Sequence, residues 1–345
     1  MATERLAVSA AFPDAPDAGE FREIADGVLW LRLPLPYEPG HVNAYLIEDR
    51  HGWVAVDAGL FDEATCMIWR RVHERLPGGI TTVLATHWHP DHLGAAGWIC
   101  ETFGAAFATS ESEYLKGLVV QYMPGDEGDA LERGFYLSHG LDPAETELWV
   151  ANGRRFMQET YRLPPTYRKL SSGQTLKLGG RDFSISVAGG HSPEEVMLHD
   201  AARGLFLCAD MVGPRIAPTM AVQVADPFGD PLSHFLAGLD TIAESCGPED
   251  LLLPGHEVPF RGFHTRADEL RAFYARRCDK VVAACMEGPK TGNELLASLF
   301  RRRPGPVWVG FLLSEALAYA NHLVGKGALE RRIEGGIVRF AAAGR

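Results

Sequence analysis

An α/β fold with its chemistry at the carboxyl ends of strands is predicted by three observations. The apolar run 80–85 has the length and composition of a buried strand. It leads directly into Thr86-His87-Trp88-His89-Pro90-Asp91-His92, after which 93–100 reads as the start of a packed helix. Short alternating strands separated by turn residues fill the first part of the chain and recur between 173 and 253, whereas helical spacing takes over beyond residue 260. Open α/β sheets place their sites where strands end, which is where the histidines stand.

At 345 residues the chain exceeds the usual single-domain size, so one large domain with an appendage is expected. A hydrophobic content of 46% and a charged content of 23% are those of a soluble globular protein. No apolar run approaches the roughly 20 residues of a membrane span. The first twenty residues have no basic stretch followed by an apolar core, so no secretory signal is read there. Six cysteines, scattered without a CxxC pair, fit buried free thiols in a reducing cytoplasm better than disulfides.

Taken in order, residues 1–20 read as a loosely packed leader. The segment 23–33 alternates like a strand pair turning at Asp26-Gly27, 42–48 is a strand, and 53–56 returns as its hairpin partner. Helical spacing runs over 61–76 and stops at Pro77-Gly78-Gly79. His92 and His191 lie 99 positions apart, and the excess, 111–163, reads as a helical insertion with patterns at 111–120 and 143–161. It is rich in large residues: Tyr114, Tyr122, Met123, Phe135, Tyr136, Trp149, Phe156, Met157 and Tyr161. Most should pack the insertion; because it leaves the fold beside the histidine loop, some are expected to wall an apolar acyl pocket. A hairpin over 173–185 turns at Gly179-Gly180, followed by strands at 197–199 and 204–209. The Pro-rich loop 211–230 makes Arg215 a candidate substrate contact, although an arginine in a loop is more often on a solvated surface. A helix at 231–246 and a strand at 251–253 complete this region, and His199 and His264 read as ordinary packed or surface histidines.

Within the HxHxDH stretch, alternation turns both imidazoles of HxH the same way, while Asp91 and His92 turn to a second side. That spacing suits two adjacent metals better than one. Pro90 has no N–H and clashes inside a helix, so the stretch is expected to be a loop. Two nearby histidines are common in proteins, but this full pattern directly after a strand is not.

At these residues the chain resembles the metallo-β-lactamase-fold hydrolases, and further motifs of that family follow in order. Asp57 ends Trp53-Val54-Ala55-Val56-Asp57, His191 stands in Gly189-Gly190-His191, Asp210 ends Leu205-Phe206-Leu207-Cys208-Ala209-Asp210, and His256 follows Gly255. The resemblance covers about residues 25–260 and implies an αββα sandwich over 21–260. It also implies that one metal is held by His87, His89 and His191, the other by Asp91, His92 and His256, and that Asp210 bridges them. Asp91 and Asp57 are the carboxylates given a part in catalysis, Asp57 by holding a ligand imidazole in its tautomer rather than as a ligand. Nitrogen and carboxylate donors without thiolate imply two divalent ions, zinc in the first place, with iron and manganese also compatible. Two such ions polarise the substrate oxygen and supply a bridging hydroxide, so no protein nucleophile is needed, in keeping with the absence of a GxSxG elbow.

Asp210 implies a subgroup. True metallo-β-lactamases usually lack a carboxylate there, whereas glyoxalase II-like thioesterases, lactonases and nucleic-acid-processing members have one. His89 stands where flavodiiron-like members carry glutamate, which speaks against that group. An ester-like small molecule, above all an acyl thioester, is therefore the expected substrate, with a lactone or a nucleic acid as the alternatives.

Beyond His256 come helices at 265–286, 291–300 and 312–324, the second with Thr291 as N-cap and Glu294 three residues on, and a hairpin over 331–340. This order over 261–345 resembles the winged-helix appendage of some members of the family. Its 15 basic against 8 acidic residues contrast with 18 against 37 in residues 1–260, within a net charge of −12. The acidic domain argues against a nucleic-acid partner, since phosphate affinity needs positive charge near the cleft. The basic residues of the tail are dispersed along one helix, apart from the cluster Arg301-Arg302-Arg303 at a helix end. Opposite charge on tail and domain would instead suit docking within the chain or across a homodimer.

Overall fold

Two seven-stranded sheets face each other in the computed structural model, which describes residues 6–122, 125–157, 159–303, 305 and 308–344. The first sheet runs in the order Phe21–Ala25, Val28–Pro34, His41–Asp49, Gly52–Val56, Ile80–Leu84, Ala106–Thr109 and Arg168–Lys169. The second runs Ser9–Ala10, Phe260–Arg261, Leu251–Pro254, Leu205–Ala209, Glu195–Asp200, Arg181–Ala188 and Thr175–Leu178. Alternation along the strands explains the layers. In Val28–Pro34, Val28 and Trp30 point into the space between the sheets, where they meet Phe183, Leu198 and Leu207. Leu29, Leu31 and Leu33 point the other way, into a core shared with Ile68, Trp69 and Val72 of helix Glu63–Arg75 and Ile99 of helix Ala96–Phe103. Both faces of the first sheet are thus covered, which is why its central strands read as continuous apolar runs.

The chain divides into two compact units. The first comprises residues 1–122, 156–218 and 238–267 and holds both sheets. The second comprises residues 123–155, 219–237 and 268–345. The insertion read as one block is therefore divided: helix Glu111–Tyr122 goes with the sheets, and helix Asp126–Ser138, for which no pattern was noted, belongs to the second unit. In that unit Tyr136 and Ser314 exchange a buried hydroxyl contact of 3.3 Å, and Asn321 donates to the carbonyls of Pro227 and Gly229. Helix Gly292–Leu299 opens with a full capping box between Thr291 and Glu294, and the hairpin Leu329–Glu334/Ile337–Ala342 turns on Gly335 and Gly336, both at positive φ.

The leader corrects one expectation. Ser9–Ala10 adds a strand to the edge of the second sheet against Phe260–Arg261, and the Leu6 carbonyl accepts from Thr265, so residues 6–11 are tied down. Their backbone polar groups find partners on an otherwise open sheet edge. All six cysteines are buried and free. Among the described residues no helix is long and apolar enough to cross a membrane.

Candidate metal centre

Five strands deliver the site. Gly52–Val56 and Ile80–Leu84 run parallel, so their carboxyl ends bring Asp57 and the stretch 86–92 side by side. In the other sheet Leu205–Ala209 and Leu251–Pro254 are also parallel and end at Asp210 and Gly255-His256, while Arg181–Ala188 leads to His191. The two sheets are joined at these ends: Val196 N–H donates to the Thr86 carbonyl at 2.8 Å, and Asn43 N–H to the Gly255 carbonyl at 2.7 Å.

The side chains singled out by sequence converge. The donor atoms of His87, His89 and His191 lie within 4.8 Å of one another, as do those of His87, His92 and Asp210, and those of Asp91, His92 and His256. His87 Nε2 and His89 Nδ1 are 2.9 Å apart. Asp210 stands between the groups, with Oδ2 at 3.4 Å from His191 Nε2 and 3.3 Å from His256 Nε2, and Oδ1 at 3.5 Å from His92 Nε2. His256 Nε2 is also 3.3 Å from Asp91 Oδ2. Asp57 lies behind, not among, the converging atoms. Its Oδ1 accepts from Thr86 N–H at 2.7 Å, and its Oδ2 from the Thr86 hydroxyl at 2.9 Å and from His92 Nδ1 at 2.8 Å.

Three further groups support this arrangement and were not singled out by sequence. The Glu113 carboxylate, 1% exposed, accepts from Trp88 N–H, the Ser192 hydroxyl and Glu194 N–H. Glu195 accepts from Asp210 N–H at 2.6 Å, and the His41 carbonyl accepts from His256 Nδ1 at 2.9 Å. No short motif marks these residues, because each meets its partners through distant parts of the chain.

Backbone strain gathers at the same place. Among the described residues the non-glycine positions at positive φ are Asp57 (64°), Ala209 (42°) and Glu257 (67°), each within one position of an end-of-strand site residue or itself one. Gly255 is needed for another reason: a Cβ there would lie 2.2 Å from Asp210 Oδ1 and 2.6 Å from His92 Cε1.

The electrostatics favour a cation. Burial drives His87 well below the ordinary histidine range and His89 down to about 3, so both are neutral donors. Burial also opposes charge on His92 and His256, yet Asp210 and the other carboxylates beside them raise both, His256 to about 10. Asp91 and Asp210 resist burial through the same imidazoles and are held low. The half of the cluster rich in carboxylate thus draws positive charge. Among the described residues His92 Nε2 and Asp210 Oδ1 are buried with no hydrogen-bond partner, which is the condition of ligand atoms facing a metal ion. The donors fit divalent cations of the zinc type.

One expectation needs correction. The stretch 86–92 is not loop throughout, because Pro90 opens the single helical turn Pro90–Leu93. At the first helical position a proline loses no hydrogen bond and its fixed φ is already right. The aromatics of the insertion mostly serve packing. Tyr114 stacks on Tyr167 at 3.9 Å, Tyr161 packs edge-on against Phe61, and Phe135 and Tyr136 are buried in the second unit, where Tyr136 meets Trp149. Met123 lies outside the described residues, as do the side chains of Tyr122, Phe156 and Met157. Arg215 is held at its backbone N–H and Nε by the buried Glu257 carboxylate, with its side chain 82% exposed. His199 pairs with Asp250 at 3.0 Å, and His264 meets the Cys246 carbonyl at 3.2 Å.

Residues 37–283 match the family model described as the metallo-beta-lactamase superfamily, and residues 278–343 match that of a metallo-beta-lactamase-like C-terminal domain. A beta-lactamase domain protein from Burkholderia ambifaria is 35% identical, with 97% of this chain and 98% of that one aligned and a TM-score of 0.89. A metallo-beta-lactamase family protein from Thermus thermophilus is 26% identical over 92% of this chain and 98% of that one, with a TM-score of 0.77. A sec-alkylsulfatase from Pseudomonas sp., 18% identical over 88% of this chain and 50% of that one with a TM-score of 0.53, shares the fold alone. No functionally curated protein matches the chain.

Proposed function

Because the chain belongs to the metallo-β-lactamase superfamily and is a metal-dependent hydrolase, we propose that its His–Asp cluster holds two divalent ions and cleaves an ester-like small molecule, in the first place an acyl thioester. On this reading His87, His89 and His191 would hold one ion and Asp91, His92 and His256 the other, with Asp210 placed to serve both. When bound, the ions would polarise the substrate oxygen and activate water at neutral pH. The observation that carries the reading is the position of Asp210, within 3.5 Å of imidazole nitrogens from both groups. A shared carboxylate is usual in glyoxalase II-like thioesterases, lactonases and nucleic-acid-processing members and usually lacking in true β-lactamases, so it supports the first group without choosing within it.

The protein's own groups do the positioning. Asp57 accepts a hydrogen bond from His92 Nδ1–H and so turns Nε2 inward; the His41 carbonyl does the same for His256. Burial keeps His87 and His89 unprotonated. The basic tail adds little to a nucleic-acid reading: within the second unit Arg303, of the Arg301–Arg303 cluster, is engaged by Glu145 and Asn293. Three helices and a hairpin make this region a winged-helix-like appendage on our reading, serving the fold rather than phosphate. A panel of acyl thioesters, lactones and RNA, run on zinc-loaded protein with and without chelator, tests the substrate class. Chelator-sensitive thioester cleavage is expected, and RNA cleavage without thioester cleavage would overturn it.

A further inference from the structure

We infer that Glu113 is a positioning residue for one half of the cluster, a buried carboxylate that ties the loop of His87 and His89 to the loop of His191. The inference rests on the two-cation reading above. Glu113 lies on helix Glu111–Tyr122, outside every motif that marks the site. Its Oε2 accepts from Trp88 N–H at 2.9 Å, and Trp88 stands between His87 and His89. Its Oε1 accepts from the Ser192 hydroxyl at 2.8 Å and Glu194 N–H at 2.6 Å, and Ser192 follows His191. One carboxylate thus spans the two sheets at the point where three imidazoles must converge. The same helix holds the Trp88 ring, with Lys116 Nζ 5.2 Å from its centroid.

The other half has separate supports. His92 is held by Asp57 and His256 by the His41 carbonyl, and neither contact passes through Glu113. Packing alone would be served by an apolar side chain at 113; instead a carboxylate is buried, at a cost offset only by its three donors. Glutamine in its place has one oxygen and must release either Trp88 N–H or the Ser192–Glu194 pair, leaving a buried donor unsatisfied. The expected consequence is one-sided: the imidazoles of His87, His89 and His191 lose their mutual alignment, while those of the other half keep theirs.

The test is chelator competition on the full-length protein, following the release of each of two zinc ions, with cobalt(II) absorption as a second readout. In Glu113→Gln one ion should bind about 10- to 100-fold more weakly and the other within about threefold of wild type. The cobalt bands lost should be those lost in His89→Ala. Both ions within threefold of wild type, or both weakened equally, would overturn the inference. Should Glu113→Gln fail to fold, Ser192→Ala removes a single donor and should show the same one-sided loss, several-fold in size; an equal loss or none would overturn it. Wild type that binds fewer than two zinc ions removes the two-cation reading and this inference with it. Two ions in wild type without a one-sided loss in the variants removes the inference alone.

Discussion

His92 Nδ1 and Asp57 Oδ2 stand 2.8 Å apart, both buried, with the Thr86 hydroxyl and N–H as the further donors to the carboxylate. This pair decides which imidazole nitrogen faces the cluster, because a proton held at Nδ1 leaves the Nε2 lone pair free. Asp57 itself sits at φ 64°, a conformation the surrounding strand ends must impose.

Asp57→Asn keeps the shape and loses the charge. Its single amide oxygen cannot accept from Thr86 N–H and from His92 Nδ1 at once; when it turns to Thr86 N–H, the amide NH2 faces His92 and the fixed tautomer is lost. Metal affinity and hydrolysis should fall by about 10- to 100-fold while the melting temperature changes little. Full activity at wild-type metal content would show that the contact is only structural.

Gly255→Ala tests the cradle at the end of Leu251–Pro254. The added Cβ would press on Asp210 Oδ1 and His92 Cε1, so at least one must move. A displacement near 1 Å costs about 10²-fold in rate. The prediction is lost hydrolysis and weakened metal binding in a protein whose circular dichroism is unchanged. Retained activity would mean the cluster tolerates rearrangement.

Thr291→Ala removes the cap of helix Gly292–Leu299 in the second unit. Loss of a capping box costs about 1 kcal/mol, seen as a lower urea midpoint. Metal stoichiometry should be unaffected, because no site residue lies in that helix. A change in metal content would mean that the second unit shapes the cluster directly.

His139 predicts a pH effect outside the site. Burial, only partly offset by the hydrogen bond from Nδ1 to the Phe135 carbonyl, lowers its pKa, and Arg331 lowers it further. The folded state therefore favours neutral imidazole, while the unfolded chain takes up a proton near the ordinary value of about 6.5. The stability it contributes is present above that value and is lost as pH falls below it. His139→Gln should be less stable than wild type by about 1 kcal/mol at pH 7.5, with the gap narrowing towards pH 5.5. A gap that stays constant between these pH values would contradict the assignment.

Much of the arrangement was legible because strand ends and ligand types are local signals. The run 80–85 and the HxHxDH stretch mark one strand end; Asp57, Asp210 and Gly255-His256 each close an apolar run in the same way. What stayed hidden was non-local. Glu113 shows in sequence only as one acid in an exposed-looking helix, and its role appears when Trp88 and Ser192 are brought to it from 25 and 79 positions away. Glu195 and His41 were hidden in the same way. The turn at Pro90 is hidden because proline's exclusion from helix interiors does not extend to the first helical position. Helix Asp126–Ser138 shows no clear period in sequence because two glycines and a run of acids weaken its apolar stripe.

Elemental analysis of the purified protein, paired with Asp210→Ala, reads the occupancy of the His–Asp cluster itself. About two divalent ions per wild-type chain are expected, clearly fewer in the variant, and hydrolysis that falls in step, since a missing shared ligand weakens both positions. Two ions retained by Asp210→Ala with full turnover would contradict that expectation.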